Sequence, residues 1–176
     1  MTASHATSVA AAALAAVLVF AMPAAAQQAK GKQSAAQGGQ RIGDWKLVCA
    51  PSTPCFITQE VVDAETKAGL AGIAVAKPPG RPNGVMQVNL APQIDPKQPI
   101  GLSVDGGAPA PLQVNGCDAA KCSARAVLPD DVLERLRKGN EIILTFGLPN
   151  QTQLAAVKFS LKGFTAAYKA LEAKRG

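Results

Sequence analysis

Four cysteines and one histidine are the side chains of this sequence best suited to nucleophilic, redox or metal chemistry, and their spacing decides which of these is open. The cysteines form two close pairs, Cys49-x5-Cys55 and Cys117-x4-Cys122. A zinc site would need all four thiolates, but the first spacing exceeds the usual two to four residues of a zinc knuckle and the second sits at its upper limit. A dithiol redox centre would want Cys-x-x-Cys with a lowered thiol pKa, and neither pair has that spacing. Disulfides in an oxidising compartment fit better. Each pair brackets a turn signal, Ala50-Pro51-Ser52-Thr53-Pro54 in one case and Asp118-Ala119-Ala120-Lys121 in the other. Facing residues of an antiparallel pair have Cα atoms about 4.5–5.5 Å apart, within disulfide reach. Local bonding of Cys49 with Cys55 and of Cys117 with Cys122 is therefore expected. The rival is a cross-sheet pairing such as Cys49 with Cys122, as in immunoglobulin-like sandwiches.

The histidine, His5, lies in a segment expected to be cleaved off, which would leave the mature chain with none. That excludes a Ser-His-Asp triad, Cys-His proteolysis, histidine acid–base catalysis and the common zinc and copper ligand sets. No metal is expected. Carboxylates are the remaining route to an enzyme, and Asp130-Asp131 is the densest pair. It opens a run, Pro129 to Gly139, that reads as a helix: acids at its start, bases at its end, and glycine as its stop. Asp131 with Arg135 and Glu134 with Lys138 are i,i+4 pairs, while Leu128, Val132, Leu133 and Leu136 form the apolar stripe. Structure accounts for every charge there. The pattern GxGxxG is absent, and Asp105-Gly106-Gly107 reads as a turn, so no cofactor is expected. No residue is put forward as catalytic.

The cleaved segment is residues 1–26. Val9 to Met22 is an uninterrupted apolar run, too short to span a bilayer comfortably and suited to the h-region of a secretory signal. Ala24-Ala25-Ala26 then offers small residues for a signal peptidase, which places cleavage before Gln27. The segment before Val9 lacks Lys and Arg, which is off-pattern; a retained anchor is the rival, disfavoured by length. Residues 27–41 are small and polar and read as a flexible leader, because they offer too little apolar surface to offset ordering entropy. Residues 42–176 form one domain with no internal repeat. The net charge of +6 owes much to Lys30, Lys32 and Arg41; removing those three from the 18 Lys and Arg leaves 15 bases against 12 acids. Such a balance suits solubility and could serve an anionic surface. Nucleic-acid binding is not expected, since the bases are scattered and not interleaved with aromatics.

Behind the cysteines stand short alternating segments. Val157, Phe159 and Leu161 face one way and Lys158 and Ser160 the other; Met86, Val88 and Leu90 alternate with Gln87 and Asn89. Ile142, Leu144 and Phe146 share a face, and Ile143 makes that strand apolar on both sides, as a central strand would be. Further strands fit 45–49, 56–62, 70–76, 100–104, 112–114 and 122–128, with Pro- and Gly-rich turns between them. The predicted fold is mainly β: an antiparallel sandwich or partly closed barrel of about nine short strands, with two peripheral helices near 129–138 and 163–173. In the second helix Phe164, Tyr168 and Leu171 line a core-facing side. An outer-membrane barrel would want longer strands and aromatic girdles.

Several motifs together resemble the invasion-associated locus B family of exported bacterial proteins. They are Gly43-Asp44-Trp45 with Cys49 and Cys55; Pro99-Ile100-Gly101-Leu102 leading to Asp105-Gly106; Gly116-Cys117 with Cys122; the Leu128–Gly139 helix; and Leu161-Lys162-Gly163-Phe164-Thr165 with Ala167. The resemblance covers about residues 42–171 and departs in the Pro- and Ala-rich segments 78–82 and 108–111. It implies a small β-rich protein of the Gram-negative periplasm or cell surface, in a family named for host-cell invasion by some members, with no catalytic residues to transfer. Family alone does not fix the role. Three functions follow as expectations. The first is a non-enzymatic protein that binds an unidentified protein or envelope component, without a membrane span after cleavage. The second is a peptide-binding inhibitor or chaperone-like module, with loop 91–99 as the candidate contact. The third is a His-independent envelope hydrolase or lyase, which would need two convergent acids in one pocket.

Overall fold

The structure is a computed structural model, and it describes residues 39–95 and 97–174. The proposed signal peptide and residues 27–38 of the leader lie outside the described residues. Ten strands follow in chain order: β1 Gln40–Ile42, β2 Trp45–Ala50, β3 Thr53–Val62, β4 Gly69–Ala76, β5 Gly84–Leu90, β6 Ile100–Val104, β7 Ala110–Cys117, β8 Cys122–Leu128, β9 Glu141–Gly147 and β10 Leu154–Ser160. Helix α1, Asp130–Lys138, joins β8 to β9, and α2, Phe164–Ala173, follows β10. All pairs are antiparallel, in one sheet of order β1-β2-β3-β4-β5-β8-β7-β6-β9-β10. The sheet curls into a half-barrel, the second of the two forms the sequence allowed.

Alternation explains the core. Leu47, Ile57, Val75 and Met86 stand opposite one another across β2 to β5 and are all buried. Ile142 and Leu144 of β9 meet Phe159 and Val157 of β10 on one side and Val104 and Leu102 of β6 on the other. Fully burying such a side chain is worth roughly 1.5–3 kcal/mol. Helix α2 packs against β1, β2 and β3 with Phe164, Ala167, Tyr168 and Leu171 buried, and α1 adds Leu133 and Leu136. On α1 the acids Asp130 and Asp131 fill the first turn and Arg135, Arg137 and Lys138 the last, as the helix dipole favours. Gly139 does cap this helix, but with φ −79°, so its small size is used for room rather than for a left-handed turn. A Cβ there would stand 2.5 Å from Val104 Cγ1.

Several sequence boundaries shift: β3 begins at Thr53 rather than Phe56, inside the run read as a turn, and the strands number ten rather than about nine. Gln40 and Arg41, assigned to the leader on composition, pair with Leu47 and Lys46 as β1. Strand β7 is longer than 112–114 because Ala110 and Pro111 pair with β6, and Gly116 and Cys117 with β8. Strand β9 is interior, as Ile143 suggested, but only one place from the edge of the sheet.

Candidate functional site

The motif residues assemble a seam that ties the two ends of the sheet together. Asp44 N–H donates to Lys162 O at 3.0 Å. The Trp45 indole N–H and the Gln59 amide both donate to Ser160 O, at 3.0 and 3.2 Å, and the same amide reaches Asp44 O at 3.0 Å. Gly43 (φ +62°) and Gly163 (φ +87°) press backbone on backbone: a Cβ on Gly43 would lie 2.5 Å from Lys162 O, and one on Gly163 2.5 Å from Ile42 O. The fully buried Trp45 ring meets Phe164 edge-on at 5.1 Å, and Phe164 packs on Tyr168 at 5.8 Å. Arg137 lies over the Tyr168 ring at 5.3 Å, a cation–π contact between the helices. These residues hold the fold, and Asp44, Trp45 and Gln59 also border the concavity described below.

Both local disulfides are present. Cys49–Cys55 spans the β2–β3 turn with Cα atoms 4.2 Å apart, and Cys117–Cys122 spans the β7–β8 turn with Cα atoms 4.0 Å apart. Among the described residues no cysteine is free, and no group of three or more His, Cys, Asp or Glu could hold a metal.

Four carboxylates sit below their ordinary pKa, each for a structural reason. The amide and hydroxyl of Thr66, then the amide of Glu65, hold Asp63 ionised; Asp105 is held by the amides of Glu141 and Asn140, and Asp118 by those of Ala120 and Lys121. Glu134 is lowered by its contact with Lys138, 2.9 Å away, and Asp131 pairs with Arg135 at 3.3 Å. A small depression brings Asp105, Asp131 and Glu134 together, but these acids are engaged as acceptors and ion pairs. Carboxylates with lowered pKa values are poor general acids near neutrality. Of the described residues of loop 91–99, Gln93, Lys97 and Pro99 are exposed. Ile94 is buried in the core, and Asp95 N–H donates to Gly147 O at 2.9 Å, which anchors that side of the loop to the end of β9.

A broad concavity of about 1420 Å³ lies on the opposite face of the sheet, over β2 to β5 and β8. Register orders its side chains in two rows. Val48, Phe56, Ala76, Val85 and Val127 stand opposite one another across five strands and form an apolar row outside the main core. Exposure along it rises from 5 % at Val48 to 58 % at Val127. Two residues along each strand runs a second row, polar except at its middle: Lys46, Thr58, Ala74, Gln87 and Arg125, extended past Lys46 by Arg41 of β1. Asp44 and Glu60 bring two exposed acids to the rim. Sequence reading missed this trough because Val48, Phe56, Val85 and Val127 lie in four different strands and only the register aligns them.

The arrangement defines a class: a β half-barrel sealed by a C-terminal helix, stapled by two hairpin disulfides, with an open trough on its outer face. The profile of the invasion associated locus B (IalB) protein family matches residues 45–172, and the chain belongs to that family. The crystal structure of invasion associated protein B from Bartonella henselae has the same fold, with a TM-score of 0.71 at 20 % identity over 78 % of this chain and 97 % of that one. No curated protein matches the chain. The family is not known as one of enzymes.

Proposed function

We infer that the protein is exported to the periplasm or cell surface, begins at Gln27 once processed, and acts without catalysis by binding a protein or envelope component in the outer-face trough. The trough carries this reading: an apolar row that grades from buried Val48 through half-buried Phe56, Ala76 and Val85 to exposed Val127, beside a row with a cation at either end. A sheet face that contacts only water normally alternates to polar residues, so an apolar row there suits a partner. Two disulfides fit an oxidising compartment. Among the described residues no helix is long and apolar enough to cross a membrane. The test is capture from envelope extract by the purified protein and by its Val127→Arg variant. A partner held by the first and lost by the second is expected. An identical captured set from both would remove the trough from the reading. Turnover of a substrate by the parent protein that disappears in Asp44→Asn with Glu60→Gln would favour the hydrolase instead.

A further inference from the structure

The charges around the trough narrow the partner. Four cations line it, Arg41, Lys46, Arg81 and Arg125, against two acids, Asp44 and Glu60. Among the described residues none of these six takes part in an ion pair. Elsewhere Lys77, Arg135, Arg137, Lys138 and Lys158 are each matched to a carboxylate, while Lys67, Lys97, Lys121, Lys162, Lys169 and Lys174 are not; what sets the trough apart is that four unpaired cations share one concavity. Arg125 is held in place by an amide: its Nε and a terminal nitrogen both donate to Gln87 Oε1 at 3.3 Å, and Gln87 Nε2 donates on to Asn89 Oδ1 at 3.1 Å. The guanidinium is thus oriented along the polar row with its charge uncompensated. That is the condition in which an added anion gains most from it.

The dimensions fit an extended chain. Lys46 on β2 and Arg125 on β8 are separated by four inter-strand gaps, roughly 19 Å at about 4.8 Å each. About six extended residues span that length. The apolar and polar rows lie two residues apart along each strand, roughly 6.8 Å. A peptide lying across the strands on its edge would turn alternate side chains to the two sides, one set to each row. A planar bilayer cannot fill a concavity, and a nucleic acid would want exposed aromatics, whereas Trp45 is fully buried.

Resting on the trough reading above, we propose that this site takes an extended acidic peptide segment in which apolar and carboxylate side chains alternate. The apolar set packs along Val48–Val127, and the carboxylates meet Arg41 and Lys46 at one end and Arg125 at the other.

The probe is a fluorescein-labelled octapeptide alternating leucine and glutamate, titrated with the purified protein and followed by anisotropy. Saturable binding is expected. It should weaken about tenfold with Lys46→Glu or Arg125→Glu, and about threefold with Val127→Ser. It should also weaken on going from about 50 to about 500 mM salt. All three residues are exposed, so the variants should melt like the parent. Equal binding of an analogue with lysine for glutamate would overturn the proposal, as would unchanged affinity in both charge-reversal variants. Capture of the protein by phosphatidylglycerol vesicles with no binding of the octapeptide would overturn it in favour of a lipid. An envelope partner lost with Val127→Arg but no octapeptide binding would leave the trough as the docking surface and refute the acidic peptide alone.

Discussion

Replacing Gly163 by alanine tests the seam at its tightest point. The new Cβ would stand 2.5 Å from Ile42 O and 2.8 Å from Gly43 Cα, where ordinary contact begins near 3.4 Å. The two backbones must therefore part by roughly 0.9 Å. That would stretch the Asp44 N–H to Lys162 O bond from 3.0 Å to about 3.9 Å, past hydrogen-bonding distance. Losing that bond costs about 0.5–1.5 kcal/mol, and an alanine held at positive φ adds about 1–2 kcal/mol. If the Trp45 indole N–H also loses Ser160 O, a buried donor goes unsatisfied at about 1–3 kcal/mol. The expected destabilisation is about 3–5 kcal/mol, a large part of the roughly 5–15 kcal/mol typical of a domain. Urea unfolding followed by the fluorescence of Trp45, the only tryptophan, measures it directly. Gly80→Ala is the control: Gly80 also has positive φ (+71°) but nothing within 4 Å of its missing Cβ, so only the strain remains. A Gly163→Ala loss no larger than that of Gly80→Ala would refute the clamp.

Non-reducing peptide mapping should link residue 49 to 55 and 117 to 122. Removing either bridge should cost about 2 kcal/mol, as the entropy model gives for so short a loop; a cross-linked peptide between the pairs would contradict the register of both hairpins. Acid should destabilise the protein through Asp63, Asp105, Asp118 and Glu134, whose folded pKa values are lowered. Their contribution is present above the unfolded values of about 3.9 for Asp and about 4.3 for Glu, and is lost as pH falls through the lower folded values. The urea midpoint should drop between about pH 5 and about pH 2, and drop less in Asp105→Asn; a flat profile would refute the assignment. A strong chelator should leave the melting temperature unchanged, and a fall would reveal a metal. Intact mass of the exported protein should match a chain beginning at Gln27, and a product retaining Val9–Met22 would show an uncleaved anchor.

Elements with a strict period were legible. Met86–Leu90 and Ala155–Leu161 announce their buried faces, and the charge order of Asp130–Lys138 announces a helix with its stop at Gly139. Strand β1 was not, because Gln40-Arg41 carries no apolar alternation and is held by backbone pairing with β2. The ends of β7 were hidden by Pro111 and Gly116, residues that argue against a strand yet pair here with Gly101 and Ser123. The local disulfides followed from turn chemistry, since each pair brackets its own hairpin. The trough was invisible for a different reason. Its rows run across the strands, and sequence periodicity reports only along them. The roles of Gly43 and Gly163 were hidden likewise, since a contact between residues so far apart leaves no local pattern.

The Trp45–Ser160 bond joins residues 115 positions apart, and this distance sets an order of events. Hairpins β2–β3 and β7–β8, with their disulfides, are local and can form as soon as their own residues are free. The core cannot, because Trp45 waits for Phe164 and for the carbonyl of Ser160, both near the C-terminal end of the domain. Contacts of such range are slow to form, since closing the intervening loop costs entropy before any burial offsets it. A chain interrupted before residue 160 would therefore hold isolated hairpins with an apolar face still open to water. On the export proposed above, late closure would leave the segments already across as separate hairpins, with the core closing only once helix α2 arrives on the far side.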